Sequence, residues 1–281
     1  MAYSGCTECT MKTASNLDES NTYREVRGLT RGLAVLRGLN ELPGGIGTVA
    51  ELARVTGIHR TTVKRLLETL RSEGLVHHKD DGASYCLGFE VRRLSEGYVA
   101  ADWIDQVAAP AMRVHLRALS WPSDLATPDG GFMIVRESTH RASLLSQHRA
   151  TIGIRIPMLV SSLGRAWLSW CSEEEREGTL GLLRHRTDSA GELSRDNSYV
   201  RKVIRETRNR GYALNRGEWA AEPNVVSIGY PVRDEDHAIG AINLVLQRNL
   251  ALDAEIENRY APLLVKLAQE ISDGLTRLTR G

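Results

Sequence analysis

The stretch T-V-A-E-L-A-R-V-T-G-I-H-R-T-T-V-K-R-L-L-E-T-L-R-S-E-G, Thr48 to Gly74, constrains the fold more than any other part of this chain. Thr48 and Glu51 have the spacing of a capping box, which starts a short helix. That helix buries Val49, Leu52 and Ala53 and stops at Thr56-Gly57. A second helix follows, with Val63, Leu66, Leu67 and Leu70 on one stripe and Gly74 placed as its C-cap. Two helices joined by so tight a turn must cross steeply. A steep crossing needs a small residue in the first helix (Ala53), a residue at ease at positive φ in the turn (Gly57), and apolar residues filling the angle (Leu52, Ile58, Val63, Leu66). All three needs are met together, so the segment reads as a helix-turn-helix.

The polar face of the second helix carries Thr61 and Arg65, flanked by Thr62 and Lys64, with His59 and Arg60 at its N-terminal end. A major groove admits one α-helix, and such donors read base edges in it. Behind Gly74, L-V-H-H-K-D-D-G-A-S-Y-C-L-G predicts a hairpin turning at Asp81-Gly82. Such a hairpin is a wing, placing His77, His78 and Lys79 beside phosphates, where they position without specifying sequence. From Arg24 to Arg93 there are 12 Lys/Arg against 8 Asp/Glu, while the whole chain carries a net charge of only +1. The basic excess thus sits where duplex DNA would bind.

Ahead of this motif, Leu29, Leu33, Leu36 and Leu39 form one helical stripe, ended by Pro43-Gly44-Gly45. The pattern divides the chain into a disordered tail (1–22), a winged helix-turn-helix domain (23–88), linker helices (89–120) and a second domain (121–281). Gly97 and Asp102 suggest a break in the linker. Val91, Leu94 and Tyr98 either form a dimer seam or pack on their own domain. Past Trp121-Pro122, strand-like runs at Gly131–Glu137, Ser143–Gln147, Val225–Val232 and Ala238–Leu246 alternate with helical runs at Ser161–Cys171, Ser172–Arg184, Ser198–Arg210 and Asp253–Arg277. The fold class expected is α+β with a mainly antiparallel sheet.

Enzyme chemistry leaves no mark: G-x-S-x-G, H-E-x-x-H, a P-loop and G-x-G-x-x-G followed by a helix are all missing. No catalytic or metal-binding residue and no cofactor is expected. Cys6 and Cys9 form a C-x-x-C pair without a second ligand pair nearby, which reads as two reduced thiols in the tail. No apolar run approaches the roughly 20 residues of a membrane span, and the N-terminus lacks a signal-peptide core. The address expected is the cytoplasm, with no membrane partner.

G-L-T-R-G-L-A-V-L (Gly28–Leu36), the helix-turn-helix and wing, and then S-S-L-G-R-A (Ser161–Ala166), S-I-G-Y-P-V (Ser227–Val232) and G-A-I-N-L (Gly240–Leu244) resemble, in that order, the IclR-type transcriptional regulators. The resemblance covers nearly all of the chain after Tyr23. V-R-G-L-T-R-G-L, H-R-T-T-V-K-R-L-L-E-T-L, W-P-S-D-L and R-E-S-T-H-R are similar to the activators of hydroxyphenylpropionate breakdown within that family. It implies a GAF-like C-terminal effector domain, a palindromic double-stranded operator, a homodimer or tetramer, and a small aromatic acid as effector. Activation would add RNA polymerase as a partner. Two departures stand out: the longer tail with Cys6 and Cys9, and Gly229-Tyr230 where relatives often carry small aliphatic residues.

An aromatic carboxylate needs an apolar slot with a cation or a set of donors at one end. In the region where the family binds its ligand, the candidate cations are Arg136, His148, Arg149 and Arg155. Ser161 and Ser162 cap a helix whose N-terminal N–H groups suit an anion. Met158, Trp219 and Ile228 are candidate apolar walls, and Asn243 is a polar group inside an apolar strand.

Overall fold

The Thr48 hydroxyl accepts from the Glu51 N–H at 3.3 Å, and the Glu51 carboxylate accepts from the Thr48 N–H at 2.8 Å. This closed capping box starts α2 (Val49–Thr56), which ends at Gly57 in the left-handed region, φ 69°. The computed structural model describes residues 25–79, 81–94, 103–146 and 151–280. Ahead of α2 lie α1 (Arg27–Glu41) and β1 (Ile46–Thr48), and after it α3 (Arg60–Ser72), β2 (Val76–His78) and β3 (Ser84–Leu87). Val35, Leu39, Leu52, Val63, Leu67, Val76 and Tyr85 close one core among the three helices and the hairpin. Gly74, at φ 73°, turns the chain out of α3 into the wing. The predicted stripe on α1 is only half used. Leu39 is fully buried, whereas Leu29 is 63% exposed, because the core is reached by the C-terminal turns of α1.

The small sheet has the order β1-β3-β2. β1, which no sequence pattern marks, pairs antiparallel with β3 (Ile46↔Cys86, Thr48↔Ser84) and so ties the wing to the entry of α2. Beyond it, α4 (Phe89–Arg93) begins the connection. Gly97 and Asp102 of the expected linker break, and Tyr98 of the expected dimer seam, lie outside the described residues. Of the remaining seam candidates, Val91 is half-buried and Leu94 exposed.

A π-helical turn (Ile104–Ala108) runs into α5 (Ala109–Leu119). The second sheet is antiparallel throughout, with order β6-β5-β4-β9-β8-β7, built from β4 (Asp124–Asp129), β5 (Phe132–Ser138), β6 (Arg155–Pro157), β7 (Ala213–Asn215), β8 (Val225–Asp234) and β9 (His237–Gln247). Between β6 and β7 come α6 (Ser162–Trp170), α7 (Glu173–Arg184), α8 (Ser189–Arg195) and α9 (Asn197–Arg210). The short α10 (Asp253–Glu255) and the long α11 (Ala261–Arg280) close the chain.

Strand alternation sorts the side chains into two layers. Leu125, Val226, Ile228, Ile242, Leu244 and Leu246 meet Met112 and Leu119 of α5 and Leu264, Leu267 and Ile271 of α11. On the other face, Ala126, Met133, Ala213 and Ala241 meet Leu163, Ala166 and Trp167 of α6, with Leu180 and Val200 behind them. This confirms the α+β reading with an antiparallel sheet. One predicted strand fails. Ser143–Ser146 is turn, with the Ser143 hydroxyl bonded to the Ser120 carbonyl and Leu144 fully exposed, while Gln147 lies outside the described residues. The sheet edge beside β5 is taken by β6 instead. Among the described residues no helix is long and apolar enough to cross a membrane.

Candidate functional site

α3 presents its outer face beside the wing. Val63 and Leu67 point into the core, which leaves Arg60, Thr61, Lys64 and Arg65 exposed and Thr62 half-buried. His59 also caps α3, its Nδ1 accepting from the Thr61 N–H at 3.4 Å. Lys64 and His78, both exposed, also make contacts within the domain. Lys64 Nζ lies 2.9 Å from Glu68 and donates to the Tyr85 hydroxyl, which itself donates to Glu68 at 2.6 Å. Arg71 Nε lies 2.8 Å from Glu68 and His78 Nε2 3.4 Å, and the His78 ring sits 4.4 Å from that of Tyr85. The Tyr85, Lys64 and Arg71 hydrogen bonds hold the Glu68 carboxyl well below the usual glutamate range. Glu68 and Tyr85, neither named from sequence, thus bolt α3 to β3, and Arg60, Thr61, Arg65 and Lys79 stay exposed.

The second site is a cleft enclosing about 630 Å³, part of it open to solvent, between the first turn of α6 and the sheet. Val135, Ile154, Ile156, Val160, Val225, Val245 and Trp219 supply apolar wall, while Asp124, His140, Thr151, Ser161, Ser162, Asn215, Glu222, Ser227 and Asn243 supply polar groups. The polar groups are largely bonded to one another. Ser162 Oγ donates to Ser227 Oγ at 2.8 Å, and Asn243 Oδ1 accepts from the Asp124 N–H at 2.8 Å. Ser161 Oγ accepts from the Gly164 N–H at 3.1 Å and donates to the Pro157 carbonyl at 2.6 Å, which fixes the start of α6. Asp124 is 5% and His140 2% exposed, with His140 Nε2 at 3.3 Å from Asp124 Oδ2 and Thr151 Oγ1 at 3.1 Å from Asp124 Oδ1.

Of the effector residues named from sequence, the cleft brings together Ser161, Ser162, Trp219 and Asn243. Ile228 does not line it: alternation along β8 puts Ile228 in the α11 core and its neighbour Ser227 in the cleft. Met158 is buried beneath α6. Arg136 donates to Thr127 Oγ1 at 2.8 Å, one position out of phase with the cleft residue Val135, and Arg155 lies over the Phe132 ring at 4.8 Å on the exposed edge strand. His148 and Arg149 lie outside the described residues. Sequence reasoning misses Asp124, His140, Thr151 and Asn215. The signal for two of them is their place in W-P-S-D-L and R-E-S-T-H-R.

Comparison with known proteins places both parts. Residues 28–80 match the IclR helix-turn-helix domain and residues 97–273 the bacterial transcriptional regulator IclR C-terminal family. The acetate operon repressor of Salmonella typhimurium is 26% identical over 227 residues, covering 77% of this chain and 72% of that protein. The Pca regulon regulatory protein of Pseudomonas putida is 25% identical over 247 residues, covering 86% and 82%. In fold, the chain is similar to an IclR homolog from Microbacterium hydrocarbonoxydans complexed with 4-hydroxybenzoate, with a TM-score of 0.59 and 22% identity, covering 89% of this chain and 99% of that one.

Proposed function

This chain belongs to the IclR family of bacterial transcriptional regulators, and from that premise we propose that it activates genes for the breakdown of an aromatic acid in response to that acid. As a member it is a DNA-binding regulator and not an enzyme. The cleft beside α6 carries the finer reading. Apolar wall flanks a polar lining, and the first turn of α6 opens on it, which suits a flat ring with a carboxylate at one end. Kinship with a regulator of the Pca regulon agrees with that class of effector. Arg60, Thr61 and Arg65 read bases, and Lys79 contacts phosphate. The effector favours one arrangement of subunits over another and so sets the spacing of the two half-sites, in a homodimer or tetramer that recruits RNA polymerase.

The test is a thermal-shift screen of the full chain against phenylpropionates, cinnamates, benzoates and short aliphatic acids, followed by a promoter reporter. One aromatic acid is expected to raise the melting temperature by several degrees and to increase transcription. Stabilisation by an aliphatic acid alone, with reporter output rising when the regulator is deleted, would establish the alternative: a repressor answering to a non-aromatic metabolite, as the kinship with an acetate operon repressor suggests.

A further inference from the structure

We infer that Asp124, backed by His140, reads a phenolic hydroxyl on the effector, so that the preferred ligand is a hydroxylated aromatic acid; this rests on the effector cleft proposed above. A buried ionised carboxylate is costly unless paired, and among the described cleft residues none is Lys or Arg. Asp124 is held by neutral or weakly basic groups instead, Thr151 on one oxygen and His140 on the other. His140 is oriented for this by Ser146, whose hydroxyl lies 2.5 Å from Nδ1, leaving Nε2 to face Asp124. An ionised carboxylate has about four acceptor positions, and these two contacts use about half of them. What remains is acceptor capacity in the cleft wall, which a ligand hydroxyl satisfies by donating.

The same charge excludes the ligand's own carboxylate from that end, since two carboxylates in one low-dielectric site repel. The acid therefore lies toward Ser161 and Ser162, with the ring against Val135, Val225 and Val245. An ether in place of the hydroxyl removes the donor and leaves Asp124 facing a second acceptor, the arrangement by which polar sites reject near-isosteres.

The experiment is titration calorimetry on the full chain with 3-(4-hydroxyphenyl)propionate, its 4-methoxy ether and 3-phenylpropionate, and with 4-hydroxybenzoate against benzoate. The hydroxylated acid of each set is expected to bind at least tenfold more tightly than its partners. Asp124→Asn should bring the set within about threefold by weakening only the hydroxylated member. His140→Gln and Thr151→Val should shift selectivity the same way to a smaller degree, and they carry the test if Asp124→Asn does not fold. Equal affinities in the wild type, or selectivity that survives all three substitutions, would overturn the assignment. A panel in which no aromatic acid binds overturns the effector reading and this one with it, whereas binding without hydroxyl preference overturns this one alone.

Discussion

Gly229→Ala tests the geometry on which the cleft depends. Gly229 sits on β8 directly beneath the first turn of α6, where a Cβ would stand 2.4 Å from the Ser162 carbonyl oxygen and 2.7 Å from its carbon, against ordinary contact from 3.4 Å. The obstacle is backbone, which no rotamer change relieves. Strand and helix must separate by about 1 Å. Overpacking of that kind costs roughly 1–3 kcal/mol. A shift of this size also stretches the 2.8 Å Ser162–Ser227 hydrogen bond beyond useful length, adding about 0.5–1.5 kcal/mol. A loss of about 1.5–4.5 kcal/mol corresponds to a fall of roughly 3–18 °C in the melting temperature of a unit this size. Calorimetric unfolding of the full chain measures it, with ligand titration alongside, because the cleft wall moves with α6. Gly178→Ala is the control: on α7 its Cβ would meet nothing within 4 Å, and the change should stabilise by about 0.5–1 kcal/mol. A Gly229→Ala melting temperature within a degree of the wild type would show that α6 is not held against β8 as described.

Arg65→Ala should weaken operator binding roughly 10–100-fold and relax preference at one base position, read by gel shift with single-base variants; equal weakening on every sequence would make Arg65 a phosphate contact. Glu68 has its folded value depressed, so its contribution to stability is present above the ordinary glutamate value of 4.5 and is lost as pH falls through the folded value. Melting temperature should therefore decline below about pH 4.5, and Glu68→Gln should flatten that decline; parallel curves for the two proteins would refute the hub. Burial pushes the Cys171 thiol up to about 11. Mass-mapped alkylation at pH 8 should leave it unlabelled until denaturant is added, and labelling in the native state would contradict its burial at the C-terminal end of α6.

What can be read in the sequence follows from where the physics is local. Capping at Thr48–Glu51, the turn at Gly57 and the stripe on α3 are decided within a few residues, and the structure keeps all three. Strands buried on both faces hide their orientation. In S-I-G-Y-P-V nothing marks Ser227 rather than Ile228 as the cleft residue, and only pairing with β9 under α6 decides it. β4, D-L-A-T-P-D, carries two aspartates and a proline and is not among the strand-like runs, yet its pairing with β5 and β9 makes it a central strand. Asp124 and His140 look like surface residues for the same reason. Their burial comes from partners 16 and 27 residues apart in sequence, through Thr139 on Ser123 and Thr151 on Asp124, which no local pattern reports.

The double attachment of β3, to β1 on one side and through Tyr85 to Glu68 on the other, removes the hinges that a wing would need to adjust separately from the helix it accompanies. Groove reading and backbone gripping then become a single coordinate. A poorly matched half-site cannot be rescued by letting the hairpin settle on the phosphates while α3 lifts away. In the homodimer or tetramer proposed above, tolerance for imperfect operators is then expected to arise in how two such modules are spaced, and mutations that broaden operator choice are expected to gather at Glu68, Tyr85 and β1 as well as among the residues proposed to read bases.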